Sequence, residues 1–131
     1  MNVLIVEDMD ATAFNLKSLL SKEGFEVYIA NDGTEALKIL KTTKMDFIIS
    51  DMNMHPMDGL TLAKQFRKED KTTLFYLYSR ADSTPDLEAL SEAIGINKFI
   101  SISGIKELKD EVLTRFREAM KENERVINSQ L

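Results

Sequence analysis

No cysteine occurs among the 131 residues of this chain. Disulfide bonds, thiolate zinc sites and a cysteine nucleophile are therefore excluded. The chain also lacks an apolar run near the roughly 18 residues that a membrane-spanning helix needs, and its N-terminus lacks the basic flank of a signal peptide. These absences predict a soluble cytoplasmic protein with no membrane partner.

Positive charge is scarce as well. The chain has 17 lysine and arginine residues against 22 aspartate and glutamate residues, which gives a net charge of −5. Proteins that hold nucleic acid neutralise its phosphates with basic side chains, so direct binding of nucleic acid is not expected. The balance suits metal binding and a basic or neutral protein partner. An apolar fraction of 44% is enough for one domain with its own core.

Short apolar runs alternate along the chain with longer amphipathic segments. Their near-continuous hydrophobicity is typical of strands buried on both faces of a parallel sheet. Between them, apolar residues recur at steps of three and four, which indicates helices. We therefore predict a three-layer α/β domain of five βα units, flavodoxin-like, with strand order 2-1-3-4-5. The five runs cover residues 2–6, 25–30, 45–50, 73–78 and 98–102.

Helix boundaries and the end of the domain can also be predicted. Ser83 or Thr84 before Pro85 is a good helix cap, and Gly95 suits the end of the same helix. The sequence from 117 onward is mostly charged. We expect a domain over residues 1–122, followed over 123–131 by a helix extension or frayed tail. The alternative is that this tail begins a linker to an output domain.

Carboxylates close the first and third apolar runs. Glu7 and Asp8 follow the first run, and Asp51 follows the third. In the predicted order these two strands are neighbours, so their ends meet at one edge of the sheet. Three carboxylates repel one another there unless a divalent cation lies between them. A carboxylate beside bound Mg²⁺ can attack a phosphoryl group, so the sequence predicts a phosphoryl-accepting switch.

Polar residues at the ends of the same strands could complete the site. We expect Asp8 and Asp51 to bind the cation directly and Glu7 to reach it through a water. The backbone carbonyl of Asn53 is a further candidate ligand. Ser79, which ends the fourth run, could donate a hydrogen bond to a phosphoryl oxygen on Asp51. The competing interpretation is that these acids are merely exposed loop residues.

Three motifs occur in the spacing that this chemistry needs: Val-Leu-Ile-Val-Glu-Asp at 3–8, Ser-Asp-Met-Asn-Met at 50–54 and Met-Asp-Gly at 57–59. Together they resemble the receiver domain of bacterial two-component response regulators, and the resemblance covers roughly residues 1–122. It implies roles for the residues that fall on the family's functional positions. These are Asp51 as the phosphoacceptor, Glu7 and Asp8 as the acidic metal pair, Ser79 as the switching hydroxyl and Phe99 as the switching aromatic.

The resemblance also implies a mode of action. The phosphoryl group would come from a sensor histidine kinase or a phosphotransfer protein, with Mg²⁺ or Mn²⁺ as the cofactor. Ser79 would move toward the phosphoryl oxygens, and Phe99 would turn inward. The face formed by the fourth helix, fifth strand and fifth helix would then change for a downstream output domain or protein; a homodimer is left open. Such a domain is a signalling phosphoacceptor that catalyses only its own phosphorylation and dephosphorylation, not an enzyme with a separate substrate.

One family position is altered. The family has a lysine at the end of the fifth strand, commonly followed by proline, whereas Ile102 and Ser103 stand there in this chain. The nearest lysines, Lys98 and Lys106, fall at the wrong end of the strand and in the last helix. One hypothesis is that Arg80 partly replaces the missing cation, the alternative being an arginine that points to solvent. A second is that the chain is a degenerate receiver, a phosphorylation-independent protein-interaction module.

The loop after the third run also departs from the family. His55 stands where the family has proline, and Pro56 follows it, so we expect a different turn. We interpret His55 as a solvated loop residue rather than a catalytic one. Met52, Met54 and Met57 are expected to pack the loop, since no other soft ligand is near them.

Overall fold

The computed structural model describes residues 1–81, 84–102 and 104–130. Over these residues, five strands alternate with five helices. Each strand lies within two residues of its predicted run, so the predicted alternation is confirmed. In chain order the elements are β1 (Asn2–Val6), α1 (Asp10–Lys22), β2 (Glu26–Ala30), α2 (Gly33–Thr42), β3 (Phe47–Asp51), α3 (Gly59–Phe66), β4 (Leu74–Ser79), α4 (Pro85–Ile94), β5 (Lys98–Ser101) and α5 (Ile105–Gln130).

The strands form one parallel sheet in the order β2-β1-β3-β4-β5. β1 lies beside β3, with Val6 opposite Ser50. β3 lies beside β4, with Asp51 opposite Tyr78. The predicted flavodoxin-like architecture and strand order are therefore confirmed.

Strand side chains alternate between two cores, one on each face of the sheet. One core packs against α1 and α5 through residues such as Leu16 and Leu108. The other packs against α2 and α3 through residues such as Ala36 and Leu62. Burial on both faces explains why the strands are almost continuously apolar. Polar chemistry is thereby left to the last residues of the strands and to the loops that follow them.

The ends of α4 follow the predicted signals. The hydroxyl of Thr84 accepts a hydrogen bond from the Leu87 amide at 3.2 Å, and Pro85 occupies the first turn. Gly95 ends the helix with a φ of 98°, a left-handed conformation that favours glycine. Of the two predicted caps, Thr84 is confirmed and Ser83 lies outside the described residues.

The last helix runs well past the core. Leu108 is fully buried near its start, whereas from Arg117 onward the side chains with described burial are exposed, apart from the half-buried Ala119. The proposed domain boundary at residue 122 lies inside this helix and stays a prediction; Leu131 lies outside the described residues. Within residues 1–81, 84–102 and 104–130, each helix is too short or too polar to span a membrane.

Candidate metal and phosphoryl site

The three predicted carboxylates meet at the end of β1 and β3. One oxygen from each of Glu7, Asp8 and Asp51 lies within 4.8 Å of the others. Glu7 is buried, Asp51 is half-buried and Asp8 is exposed, so the cluster opens outward from the sheet edge. Because Glu7 is buried, the interpretation of all three as merely exposed loop residues does not describe this arrangement. We call Glu7, Asp8 and Asp51 the acidic cluster.

Crowding changes the acidity of the cluster. The pKa of Glu7 is raised to about 8, first by burial and then by the hydrogen bond and the charge of Asp51. The backbone amide of Asp8 donates to Glu7 Oε2 at 3.1 Å, which fixes the position of the buried carboxyl. Loss of the Glu7 proton is therefore disfavoured near neutral pH. A divalent cation could replace this proton and pair with the charges.

The donor set suits a hard cation. Carboxylate and carbonyl oxygens are the ligands that Mg²⁺ and Mn²⁺ prefer, and magnesium proteins commonly use one or two carboxylates with waters and phosphate oxygens. The acidic cluster supplies three such groups from two adjacent strands. Ligation by Asp8 and Asp51, by Glu7 through a water and by the Asn53 carbonyl stays a prediction.

Asn53 links the acidic cluster to Ser79. Its backbone amide donates to Asp51 Oδ1 at 3.0 Å, and its side-chain amide donates to Ser79 Oγ at 3.2 Å. The Ala81 amide also donates to Ser79 Oγ, at 3.1 Å. Both acceptor positions of the Ser79 hydroxyl are thus used within the described residues, which leaves its proton for a ligand. The sequence predicted only the backbone carbonyl of Asn53 and missed this side-chain link.

An open cavity of about 300 Å³ lies over the acidic cluster. Arg80 lines this cavity and is exposed. Its predicted role stays a prediction. The cavity is lined by Glu7, Asp8, Met9, Asp51, Asn53, Tyr78 and Arg80.

Tyr78 is the lining residue that sequence reasoning missed. It lies in the apolar run of β4 and is 3% exposed. Its hydroxyl nevertheless has no hydrogen-bond partner of good geometry in the described part of the chain. Burial, followed by the charges of Glu7 and Asp51, raises the pKa of its phenol. A signal was available in the predicted strand order, which makes the third and fourth strands neighbours; the observed register pairs this tyrosine with Asp51.

The position of the family lysine is apolar in the structure as well. Ile102 is buried and joins the core on the α1 and α5 face. Lys98 lies at the start of β5, where its ammonium pairs with Glu111 at 2.7 Å, and Lys106 lies in the first turn of α5. Among the described residues that line the cavity, no lysine is present. Ser103, which takes the family's proline position, lies outside the described residues.

Phe99 lies on β5 beside Leu77, half-buried against the core of the α2 and α3 face. Strand alternation places it on the same face as Ser79, whose partner on β5 is Ser101. Ser79 and Phe99 therefore share a face of the sheet on adjacent strands. Whether they switch stays a prediction.

The loop after β3 packs as predicted. Met54 is buried, and Met52 and Met57 pack against the same core. His55 is exposed, in agreement with a solvated loop residue, and its peptide bond to Pro56 is cis. It lines a separate cavity of about 430 Å³ between this loop and α3, away from the acidic cluster.

Known proteins agree with this fold. Residues 3–115 match the family described as the response regulator receiver domain. Over 100 residues the chain is 33% identical to the aerobic respiration control protein ArcA of Escherichia coli K12; this covers 76% of the chain and 41% of ArcA. The chain thus spans less than half the length of this curated relative.

Solved structures give the same result. The chemotaxis protein CheY4 of Vibrio cholerae superposes with a TM-score of 0.80 at 28% identity, covering 87% of this chain and 96% of that one. The response regulator TrrA of Thermotoga maritima, solved in complex with Mg²⁺ and BeF, superposes with a TM-score of 0.75 at 29% identity, covering 86% and 96%.

The fold and the acidic sheet edge define a signalling domain of the type used in two-component systems. The chain belongs to the response regulator receiver domain family.

Proposed function

We propose that this receiver domain accepts a phosphoryl group on Asp51 from the phosphohistidine of a sensor histidine kinase or a phosphotransfer protein. A carboxylate oxygen of Asp51 attacks phosphorus, the new O–P bond forms, and the N–P bond of the donor breaks. The leaving imidazole keeps the electron pair of that bond and takes up a proton from solvent. The convergence of Glu7, Asp8 and Asp51 within 4.8 Å is the observation that carries this proposal.

The side chains around Asp51 prepare it for this reaction. Asp8, Asp51 and the Asn53 carbonyl would hold Mg²⁺ or Mn²⁺, with Glu7 acting through a water. When bound, the cation supplies positive charge that offsets the approach of an anionic donor to an acidic cluster. The Asn53 amide holds Asp51 Oδ1 at 3.0 Å, so the attacking carboxylate is oriented before the donor arrives.

Phosphorylation of Asp51 is proposed to change the face formed by α4, β5 and α5. The new group adds roughly −2 of charge at Asp51, and the Ser79 proton is available to bond it. Movement of Ser79 would free space for Phe99 and so alter the face of α4, β5 and α5. That face would contact the output domain or partner protein, or a second copy of the chain in a homodimer. We propose a cytoplasmic domain over residues 1–122, with 123–131 as its helical continuation.

The test is formation of an Asp51 adduct. In the presence of Mg²⁺, phosphoramidate should add one phosphoryl group to the wild type, measured by intact mass. Beryllofluoride should form one adduct with the wild type, measured by NMR. Neither reagent should form an adduct with Asp51→Asn. Asp110→Asn on the exposed side of α5 is the matched control and should react like the wild type. An adduct that persists in Asp51→Asn would contradict the assignment of the phosphoacceptor.

Ile102 supports a second candidate function. With a buried isoleucine where the family has lysine, the chain could act as a protein-interaction module that does not depend on phosphorylation. In that case Mg²⁺ and phosphodonor would leave wild-type protein unmodified. A wild-type adduct whose NMR shifts stop short of Phe99 would instead mean that Asp51 is modified but the change does not reach the output face.

A further inference from the structure

We infer that the Tyr78 hydroxyl replaces the missing family lysine by donating a hydrogen bond to a phosphoryl oxygen on Asp51. The inference rests on the proposed function and assigns that reaction a positioning residue on β4 rather than β5. The observation behind it is a buried hydroxyl, in the wall of the cavity over the acidic cluster, that makes no hydrogen bond of good geometry within the described residues.

The sheet register places Tyr78 where such a donor is needed. Tyr78 lies opposite Asp51 on one side and opposite Ile100 on the other. Residues in register share a face of the sheet, and Ile102, two positions on, returns to that face. Tyr78 and Ile102 both belong to the core on the α1 and α5 face. The lysine position of the family and the phenol ring are therefore neighbours, and the ring is the one that reaches the cavity.

The state of the hydroxyl points to a ligand. Buried tyrosine hydroxyls usually find a hydrogen-bond partner, and an unmet buried hydroxyl destabilises the fold. Phenylalanine would fill the same space without that cost. Among the described residues no hydrogen bond of good geometry fixes the Tyr78 hydroxyl. The Glu7 carboxyl is near enough that a hydrogen bond between the two side chains contributes to the pKa of each. An acceptor that enters the cavity would satisfy it, and the oxygens of a phosphoryl group on Asp51 are acceptors of this kind.

Tyr78 differs from lysine and from Arg80 in what it can supply. A phenol is an uncharged hydrogen-bond donor, and that of Tyr78 is buried in a fixed position on β4. Arg80 lines the same cavity but is exposed, so its charge is screened by water and salt. A buried donor offers direction and a fixed position instead of charge. We therefore expect the contribution of the Tyr78 hydrogen bond to adduct stability to depend little on ionic strength.

The experiment compares Tyr78→Phe with the matched variant Tyr76→Phe. Tyr76 lies two residues earlier on the same strand and face, but its hydroxyl accepts a hydrogen bond from Arg115 Nε at 2.9 Å and is not part of the cavity wall. We expect Tyr78→Phe to bind beryllofluoride in the presence of Mg²⁺ about tenfold more weakly, or worse, because a hydrogen bond to a charged group is lost. Its affinity for Mg²⁺ alone and its melting temperature should not fall. Tyr76→Phe should bind beryllofluoride like the wild type.

A rescue variant distinguishes a hydrogen bond from the Tyr78 hydroxyl to the phosphoryl group from a role of that hydroxyl in packing alone. Ile102→Lys restores the family's cation beside the ring, so it should recover beryllofluoride binding in the Tyr78→Phe background by a larger factor than it improves binding by the wild type. A purely structural role for the hydroxyl would give no such difference.

Three results would overturn the inference. In the first, Tyr78→Phe binds beryllofluoride as tightly as the wild type. In the second, Mg²⁺ affinity falls by the same factor as beryllofluoride affinity, which would mean that the hydroxyl acts only by holding Glu7. In the third, wild-type protein forms no adduct, which removes the proposed function itself and is distinguished by the failure of the unmutated chain.

Discussion

At the edge of the sheet, individual polar side chains are buried at a cost in stability, in positions where they could contact a ligand. Glu7 and Tyr78 are buried polar groups, and the pKa of each is raised because its surroundings disfavour charge. Such groups weaken a fold when they lack partners. Both line one cavity beside Asp51, whereas the two cores on the faces of the sheet are built mainly from apolar side chains. The free energy of folding is thus less favourable at this cavity, and a charged ligand that pairs with Glu7 and Tyr78 would restore it.

Substitution of Arg80 measures how much an exposed positive charge contributes to the rate of phosphorylation. We expect Arg80→Ala to slow phosphorylation by phosphoramidate about two- to fivefold at low salt, since an exposed charge pair contributes about 0.2–1 kcal/mol. The difference should shrink at high salt because screening removes it. Arg117→Ala, on the exposed face of α5, is the control. Equal rates for Arg80→Ala and the wild type at low salt would mean that this guanidinium only faces solvent.

The strands and the residues at their ends could be predicted from the sequence, whereas the orientation of individual side chains could not. Glu7, Asp8 and Asp51 could be brought together from sequence because parallel strands end at one edge and the strand order follows from the alternation of elements. The Asn53 side chain lies in a loop, where hydrophobic patterning carries no information. The direction of the Tyr78 hydroxyl depends on how its ring packs in the finished core.

At the level of elements, α3 supports the loop that presents Asp51. Gly59 is the first residue of α3, and its amide donates to the Met52 carbonyl at 2.9 Å. A methyl group at this position would overlap the Leu77 side chain and the Asp51 carbonyl. The contact is therefore possible only with glycine, and it holds the helix directly against the end of β3.

Gly59→Ala should damage both the fold and the site. We expect a loss of about 1–3 kcal/mol in the free energy of unfolding, typical of overpacking, measured by urea denaturation. Beryllofluoride binding should weaken as well, because relief of the overlap displaces the Asp51 backbone. Gly104→Ala is the control, since a methyl group there meets nothing within 4 Å. Unfolding curves for Gly59→Ala that match those of Gly104→Ala would show that the loop can yield without cost.

At the scale of the whole molecule, one buried proton links pH, metal and stability. The pKa of Glu7 is about 8 in the folded chain against an ordinary value of 4.5. Between these values the folded state holds a proton that the unfolded state has released. The stability that Glu7 provides is therefore fully present below pH 4.5 and is lost as the pH rises toward 8. The groups that face Glu7 in the cavity are Asp8, Asp51, Tyr78 and Arg80.

We therefore expect the free energy of unfolding in EDTA to fall between pH 5 and pH 8, by up to about 1.4 kcal/mol for each pH unit. Mg²⁺ should raise the stability most at the upper end of this range, because a cation binds the folded cluster and replaces the proton. Glu7→Gln has no proton to lose, so its curve should be flatter and its response to Mg²⁺ smaller. Glu92→Gln, on the exposed face of α4, should keep the wild-type slope. If Glu7→Gln keeps that slope too, the proton is held elsewhere, and the acidic cluster does not couple metal binding to the stability of the domain.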